Sequence, residues 1–428
     1  MKTAVHTENL IIGAGVSGLA LASRLKAGSY LILEKEREAG GYCRTFYAGE
    51  FVWDYAGHFF HFSQQQLRRR FAPFLQSGDN VYNHKRTLIF YRGRYVDYPF
   101  QFNICQLDKE EFIDCLCGLF EGRGGEAPAN FKEMLYAKFG VPIAEKFLIP
   151  YNEKLYSCDL NELDIDAMGR FFPKAEPAEI IRHFRGEKIG TYNDTFFYSA
   201  KGAAAFVEEL LKEVDAGSLR LGRQVERILP DRQVAVAGDL EVHYRRLIST
   251  MPFPRLLSMC GLPHRASYTS NKVLIFNLGF DAPPEDRTVH WIYYPDPDLV
   301  FYRVGFYNNI LHRDKMSLYV EIGLPEDARV RPEDWFDRVL CDLKKAGLVT
   351  AHKLLAWNCV LMDPAYVHIS AESQREKEQL KARLAQEHIH TIGRYGDWKY
   401  CSIEDCVAQA YQLGERLAAG SAREEAIT

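Results

Sequence analysis

Two short apolar runs near the N-terminus are separated by a glycine-rich turn and a segment with helical spacing. The runs are residues 10–12 (LII) and 30–33 (YLIL), and residues 13–18 (GAGVSG) form the turn. Short apolar runs bounded by turn residues are typical of buried strands, and the spacing after residue 18 is typical of a helix. The pattern predicts a strand–turn–helix–strand unit with Glu34 at the end of its second strand.

The pattern changes twice along the rest of the chain. Residues 107–150 place acidic and apolar side chains at helical spacing, with a break at 122–128, which predicts a helical insert. Residues 219–250 predict several short strands joined by turns. Strands of a larger antiparallel sheet are predicted at 271–280, 290–296, 299–309 and 316–324, and helices at 203–214, 332–348 and 405–420.

Composition and charge narrow the class of protein. A chain of 428 residues is too long for one simple core, so two or three domains are expected. It is 47% hydrophobic and 26% charged, as is usual for a soluble globular protein. The formal net charge of −4 argues against a nucleic-acid binder, which is usually basic. No nucleic-acid partner is therefore expected.

The cysteines and the N-terminus indicate the cellular compartment. Ten cysteines are scattered without a CxxC pair, which favours free thiols in a reducing cytosol. The N-terminus lacks the pattern of a secretory signal, and no apolar run is long enough to span a bilayer. We expect a cytoplasmic protein without a transmembrane segment. Without an HExxH motif or a Walker loop, no metal is expected.

The glycine-rich turn has the spacing of a dinucleotide-binding fingerprint. Gly13, Gly15 and Gly18 form GxGxxG between a predicted strand and a predicted helix, and Glu34 follows at the distance of a ribose-binding carboxylate. The three glycines allow a tight turn, close approach to a pyrophosphate and close helix–strand packing. The predicted cofactor contacts in this region are Gly13, Gly15, Val16, Ser17, Gly18, Glu34 and Lys35.

A second glycine pair follows the acidic residue, in EKEREAGGYCRT (34–45). Gly41 and Arg44 in this segment resemble the FAD enzymes of glutathione-reductase type, a group that includes amine oxidases, protoporphyrinogen oxidases and sugar-nucleotide mutases. Val225 lies in a stretch similar to their adenine-contacting strand, and Gly393 and Arg394 lie in one similar to the segment that returns to FAD. The resemblance implies an FAD cofactor and a discontinuous FAD domain.

Several separated stretches then resemble the eukaryotic-type UDP-galactopyranose mutase family. They occur in order from residue 10 to about residue 412, so the resemblance covers most of the chain. The stretches are DYAGHFFHF (54–62), YVDYPFQFNI (95–104), YNEKLYSCDLNELDIDAMGRFFP (151–173), HWIYYPDPDLVFYRVGFYNN (290–309), DPAYVH (363–368) and GRYGDWKY (393–400).

The resemblance implies a mutase that interconverts pyranose and furanose forms of a UDP-sugar. In that family reduced FAD attacks the anomeric carbon through N5, and the diphosphate leaves and returns. FAD would therefore be active when reduced, with NAD(P)H or a cellular reductase as the expected reductant. The partner would be a UDP- or dTDP-linked sugar. The sequence leaves open the sugar, the base and whether the chain forms a homo-oligomer.

The same resemblance assigns residues to roles. Arg170 and Arg303 would hold the leaving diphosphate with their rigid donor forks, and His58, after Gly57, would lie near flavin N5. These three, His58, Arg170 and Arg303, are the expected catalytic residues. Substrate contacts are expected from Arg170 and Arg303 and, for the phosphates, nucleobase and sugar, from Tyr98, Phe100, Gln101, Asn152, Tyr293, Tyr366 and Tyr400.

Departures from the family pattern keep two alternatives open. Ala56 stands where the family has glycine, Tyr156 where it has tryptophan, and YCSIEDC (400–406) where it has an Asn-Gln-Asp-His run. An FAD-dependent oxidase or desaturase of the amine oxidase or protoporphyrinogen oxidase type would share the FAD signals but need an apolar pocket. A flavin-binding protein without turnover would share them too.

The expected architecture is an α/β fold with α+β elements. It combines a Rossmann-like FAD-binding domain of glutathione-reductase type, a helical insert and an antiparallel sheet for substrate. The predicted boundaries are 1–95 with 195–260 and 385–428 for the FAD domain, 104–190 for the helical domain, and 96–103 with 261–384 for the sheet domain.

Overall fold

A computed structural model describes residues 3–121, 127–172, 176–186 and 194–425, without the side chains of Arg170 and of residues 420–425. The first larger sheet is built around the apolar run at residues 10–12. Its strands, in spatial order, are Arg227–Leu229, Val234–Ala237, Leu240–Ser249, Thr3–Ile12, Tyr30–Leu33 and Leu219–Arg220, and Ile389–Thr391 also pairs with Leu240–Ser249.

The central strands of this sheet are parallel, so their carboxyl ends meet at one edge. Ile12 lies opposite both Leu33 and Ser249 in the register. Gly13 donates its N–H to the Leu33 carbonyl at 2.8 Å, and Thr250 donates its N–H to the Ile12 carbonyl at 3.0 Å. Ligands of open parallel sheets bind at this edge. The glycine-rich turn therefore lies beside the residues that follow Leu33 and Ser249.

Alternate residues of the parallel strands enter two separate apolar cores. Ile11 and Ile32 pack with helices Val16–Ala22 and Ile403–Glu425 on one face. Leu10 and Leu31 pack on the opposite face, where helices Phe253–Met259 and Ala371–Gln386 lie. This two-sided burial explains why the strands read as nearly continuous apolar runs.

The structure contains a second larger sheet, which is mostly antiparallel. Its strands, in spatial order, are Leu354–Met362, Lys272–Phe280, Ser317–Leu324, Arg303–Phe306, Trp291–Tyr293, Thr87–Tyr91 and Arg94–Asp97. All pairs are antiparallel except Trp291–Tyr293 with Thr87–Tyr91. Two strand pairs lie apart from the larger sheets: Thr45–Ala48 with Phe51–Asp54, and Asn80–His84 with Thr195–Ser199.

The helical region shares an apolar core with the second sheet. Phe131, Phe139 and Phe147 are buried with Ile275 of the sheet in that core. The remaining α-helices are Gln65–Arg70, Ala72–Leu75, Lys109–Gly118, Phe131–Ile143, Ile149–Tyr156, Pro177–His183, Ala204–Leu211, Tyr307–Ile310, Glu333–Lys345 and Gly393–Gly396. Shorter helical turns are Gly41–Cys43, Phe100–Phe102, Ile104–Gln106, Ala144–Leu148, Leu160–Glu162, Gly169–Phe171, Ala216–Ser218 and Pro230–Arg232.

The predicted α/β class, with a Rossmann-like unit, helices and an antiparallel sheet, is confirmed. The boundary expected at residue 95 cuts through the hairpin Thr87–Tyr91 and Arg94–Asp97, which hydrogen-bonds to the second sheet. The domain boundaries otherwise stay predictions. Across the described ranges, no helix combines the length and apolar character that crossing a membrane requires.

Candidate functional site

A cavity of about 810 Å³ extends from the glycine-rich turn to the second sheet. Residues far apart in the chain reach it because the carboxyl edge of the first sheet faces the strands that carry Tyr293 and Arg303. The sequence-predicted residues that line it are Gly13, Gly15, Val16, Ser17, Glu34, Lys35, Gly41, Arg44, Gly57, His58, Tyr98, Val225, Tyr293, Arg303, Tyr366, Gly393, Arg394 and Tyr400.

The glycine-rich turn has backbone geometry that other residues would disturb. Gly13 has φ +100°, and a Cβ there would lie 2.2 Å from Thr250 Oγ1. A Cβ on Gly41 would lie 3.4 Å from the Cα of Gly15, so the two glycine turns face each other. Gly18 does not line the cavity, and a Cβ there would lie 2.0 Å from the Gly13 carbonyl oxygen. Its geometry is that of close helix–strand packing.

Glu34 is buried at the edge of the first sheet and holds the turn by hydrogen bonds. Its Oε2 accepts the backbone N–H of Ala14 at 2.7 Å, and its Oε1 accepts that of Glu36 at 2.9 Å. Each carboxylate oxygen has a second lone pair, so these bonds leave acceptor capacity toward the cavity. The contact with a ribose stays a prediction.

Arg44 lies where the second glycine turn ends. Its Nε donates to the Gly41 carbonyl at 2.8 Å, and its Nη2 donates to the Tyr55 hydroxyl at 2.9 Å. Glu36 and Glu38 lie 3.7 and 3.6 Å from its Nη1. The side chain is therefore positioned by the turn itself, and its charge faces the two acidic neighbours.

At the far end of the cavity, Arg303 meets a buried carboxylate. Its Nε and Nη2 donate to Glu321 Oε1 at 2.9 and 2.6 Å, and its Nη2 also donates to Oε2 at 2.7 Å. The Tyr302 hydroxyl donates to the same Oε2. Next to this pair, the Trp291 indole donates to the Tyr293 hydroxyl at 3.0 Å. The arginine is thus held in one orientation.

Arg394 lies against two tyrosines at the middle of the cavity. Its Cζ lies 4.5 Å from the ring centroid of Tyr400 and 5.1 Å from that of Tyr366, and the two rings are near-parallel at 5.8 Å. Contacts of this kind between a guanidinium and aromatic rings are attractive. The buried Nε of Arg394 has no hydrogen-bond partner among the described residues.

The loop with Gly57 and His58 closes one side of the cavity. Ala56 has φ +73°, a left-handed conformation that favours glycine, at the position where the family pattern has glycine. Burial, and then the charge of Arg394, lower the pKa of His58 to about 4, so its imidazole is neutral near pH 7. Its buried Nδ1 has no partner within the described part of the chain.

Three predicted substrate residues lie outside the cavity lining. Phe100 is fully buried and stacks on Phe147 with centroids 5.2 Å apart. Gln101 is buried, and Asn152 Nδ2 donates to the Leu148 carbonyl at 2.6 Å. The structure therefore does not bring these three to the other site residues. The side chain of Arg170, in the turn Gly169–Phe171, lies outside the described residues.

The cavity also contains residues that the sequence reasoning missed, namely Lys85, Tyr151, Tyr302, Tyr319 and Glu321. Arg303 and Glu321 lie directly opposite each other on paired strands. Opposite charges at such cross-strand positions attract. Finding the pair from sequence requires the strand register.

Comparisons with known proteins agree with this architecture. A family model described as an NAD(P)-binding Rossmann-like domain matches residues 11–74. The structure of reduced UDP-galactopyranose mutase superposes with a TM-score of 0.88 at 23% identity, covering 97% of this chain and 94% of that chain.

Two further solved structures are similar across almost the whole chain. A protein assigned as a protoporphyrinogen oxidase of Exiguobacterium sp. 255-15 gives a TM-score of 0.78 at 16% identity, covering 96% of this chain and 98% of that one. Cyclohexylamine oxidase from Brevibacterium oxydans IH-35A gives 0.67 at 15%, covering 96% and 99%. The chain has the fold that these proteins share, and the resemblance seen in the sequence motifs is confirmed at the level of the fold.

Proposed function

We propose that the protein is a flavin-dependent sugar-nucleotide mutase that interconverts pyranose and furanose forms of a UDP-linked sugar. One observation carries the proposal: a single cavity joins the dinucleotide-type glycine turn to the cluster of Arg303, Tyr293, Tyr366 and Tyr400. A cofactor at the first end and an anionic, hydroxyl-rich substrate at the second end would meet inside this space.

The residues at the first end fit FAD. Gly13, Gly15 and Gly41 line the cavity without side chains, so a pyrophosphate could approach the backbone there, and Glu34 keeps acceptor capacity for a ribose. The buried Nδ1 of His58 and Nε of Arg394 lack partners among the described residues, and buried polar atoms are normally satisfied. When bound and reduced, FAD supplies the nucleophile for the anomeric carbon of the sugar.

The residues expected to hold FAD surround this part of the cavity. They are Gly13, Gly15, Val16, Ser17, Glu34, Lys35, Gly41, Arg44, Gly57, His58, Val225, Gly393 and Arg394. His58 would keep a neutral imidazole beside the flavin, because burial disfavours its charged form. The loop is tightly packed just before His58, since a Cβ on Gly57 would lie 2.7 Å from the Phe59 ring.

At the second end, Arg303 would bind the departing diphosphate. Its guanidinium is fixed by Glu321, so it is oriented before the ligand arrives and little side-chain entropy is lost on binding. The phenols of Tyr293, Tyr366 and Tyr400 would donate hydrogen bonds to phosphate oxygens without adding charge. The aromatic walls would exclude water, which strengthens each of these contacts.

The test combines turnover with a matched pair of variants. Purified protein should show flavin absorbance and, after reduction with dithionite, convert UDP-galactose to the furanose form, as seen by chromatography. Arg303→Lys keeps a positive charge but loses the donor fork, so UDP affinity should fall about tenfold or more, or about 1.4 kcal/mol. Arg331→Ala, on the surface, should leave UDP affinity unchanged.

The same assays separate the alternatives. Oxygen consumption with an amine or porphyrinogen that is insensitive to Arg303→Lys, together with no affinity for UDP, would indicate an oxidase. A yellow protein that neither binds nucleotide sugars nor turns over would indicate a flavin-binding protein without catalysis.

A further inference from the structure

Two cysteines meet at the beginning of the last helix. The Sγ atoms of Cys401 and Cys406 are 3.5 Å apart, and the helix runs from Ile403 to Glu425. The two residues occupy the position before the N-cap and the fourth position of the helix, which pack against each other in a hydrophobic staple. Here both positions carry thiols. A disulfide has an S–S distance of about 2.05 Å, so a small approach would join them.

The start of this helix is held firmly, so the two thiols are kept together. Ser402 donates its N–H and its hydroxyl to Asp405 Oδ2, both at 2.9 Å, and Asp405 donates its N–H to Ser402 Oγ at 3.2 Å. Glu404 accepts the backbone N–H of Gln64 at 2.6 Å and the hydroxyl of Ser63 at 2.8 Å. These bonds fix the segment between the two cysteines.

Both thiols line the cavity assigned to the cofactor, together with Ser17, Gly393 and Arg394. A hydrogen bond from Cys401 lowers the pKa of Cys406 to about 7; burial opposes this shift, and the Ser17 hydroxyl, the backbone N–H of Arg394 and its charge support it. The same Cys401–Cys406 bond, and then burial, raise the pKa of Cys401. Cys406 therefore loses its proton before Cys401 does, an asymmetry that favours thiol–disulfide chemistry.

Every other cysteine with a shifted pKa has it raised, in contrast to Cys406. Burial raises the pKa of Cys43, Cys115, Cys158, Cys260 and Cys359, which disfavours their thiolates. The Cys401–Cys406 segment is also the stretch YCSIEDC, where the sequence departs from the mutase pattern. The segment that departs from the family pattern is therefore the segment in which the two thiols meet.

We propose that Cys401 and Cys406 form a redox-active thiol pair that passes two electrons to flavin bound in this cavity. In this step the Cys406 thiolate and the Cys401 thiol join in an S–S bond. The electron pair and the Cys401 proton go to the oxidised flavin, which becomes the singly protonated reduced form, so atoms and charge balance. A cellular dithiol would then reduce the disulfide. The inference rests on the proposed function, because it requires a flavin and gives the reduced cofactor a source of electrons.

The first experiment counts electrons. Protein purified in air without added thiols is titrated anaerobically with dithionite while flavin absorbance is followed. If the pair is present as a disulfide, the wild-type protein should consume four electrons per flavin, two for each centre. Cys401→Ser and Cys406→Ser should each consume two. The control Cys105→Ser, which changes an exposed cysteine, should still consume four.

The second experiment locates the bond without any variant. Trypsin should cleave after Lys399 and after Arg416 and release residues 400–416. This peptide contains Cys401 and Cys406 and no other cysteine. After equilibration with oxidised glutathione, the peptide should resist alkylation and weigh two hydrogen atoms less. After reduction it should take up two alkyl groups. A variant that fails to fold does not affect this measurement.

The outcomes separate the two proposals. A flavin-containing protein that consumes two electrons per flavin, with both cysteines alkylated after oxidation, would overturn the thiol pair and leave the proposed mutase intact. A disulfide between Cys406 and Cys43 would overturn the assignment of the partner. A colourless protein that binds no FAD would overturn the proposed function before the titration begins, and the transfer step with it.

Discussion

Arg303 and Glu321 face each other across paired strands, and their side chains form a fork-to-carboxylate ion pair inside the cavity. Glu321 is 1% exposed, whereas the Arg303 side chain is 21% exposed toward the cavity. The carboxylate therefore does two things at once. It orients the guanidinium and offsets part of the charge that an anionic ligand would meet.

Glu321→Gln should show which of these two effects dominates. Glutamine keeps the shape of the side chain but removes its charge, so Arg303 would present more positive charge to a diphosphate. We expect UDP to bind about threefold to tenfold more tightly by calorimetry, or about 1 kcal/mol. We expect the free energy of unfolding to fall by about 2 kcal/mol, less than for a fully buried pair because Arg303 is partly exposed.

The control for this change is Asp342→Asn. Asp342 is also a buried carboxylate and accepts a hydrogen bond from Arg338 Nε at 2.9 Å, but it does not line the cavity. Because Asp342 Oδ2 also accepts the Val300 N–H at 2.9 Å, in the loop that leads into Arg303, Asp342→Asn should lower stability and should not raise UDP affinity. Equal UDP affinities for Glu321→Gln and the wild-type protein would contradict the prediction.

Gly57→Ala should disturb the loop that carries His58. The added Cβ would lie 2.7 Å from the Phe59 ring and 2.8 Å from the Tyr319 hydroxyl, so the loop or both rings must move. Overpacking of this kind costs about 1–3 kcal/mol of stability. Denaturant unfolding should show this loss, and flavin content per chain should fall with it. Gly78→Ala is the matched control, because a Cβ there meets no atom within 4 Å.

The sequence predicted the first sheet and its turn well because their signals are local. The glycine spacing, the apolar runs and Glu34 all lie within residues 10–34, and the structure brings them together at one strand edge. The second end of the site depends on register between strands far apart in the chain. Glu321 and Tyr319 enter the cavity only because strand Ser317–Leu324 pairs with the strand of Arg303. Phe100 was expected to contact substrate, but its side chain stacks on Phe147 and does not line the cavity.

Lys154→Met should weaken the link between the helical region and the strand that carries Arg303. The three N–H groups of the Lys154 ammonium are shared among the carbonyl oxygens of Tyr294, Asp296, Leu299 and Phe301, which lie 2.9, 2.8, 2.8 and 2.6 Å from Nζ. Methionine would leave these oxygens without that donor, at a cost of about 3 kcal/mol. UDP affinity should fall as well, because this loop leads directly into Arg303.

Stability and UDP titration together check this prediction. Lys344→Met, on the exposed face of another helix, removes a lysine without such contacts and should change neither quantity by more than about 0.5 kcal/mol. A Lys154→Met protein as stable as the wild type would mean that water replaces the ammonium.

His290 should make the protein less stable as the pH falls. Its Nδ1 accepts the backbone N–H of Arg86 at 3.1 Å, which requires a neutral ring, and burial lowers its pKa from 6.5 to about 4. Between these two values the unfolded chain binds a proton that the folded chain does not, so stability is lost as the pH falls through this window. Burial raises the pKa of Asp54 from 3.8 to about 6, which acts in the opposite direction.

His290→Asn isolates the histidine, since the asparagine oxygen can accept the same hydrogen bond without titrating. Urea unfolding at several pH values should show that the wild-type protein loses about 3 kcal/mol more than this variant between neutral pH and about pH 4. His84→Asn, at an exposed histidine, should follow the wild-type curve, and parallel curves for His290→Asn and wild type would contradict the prediction.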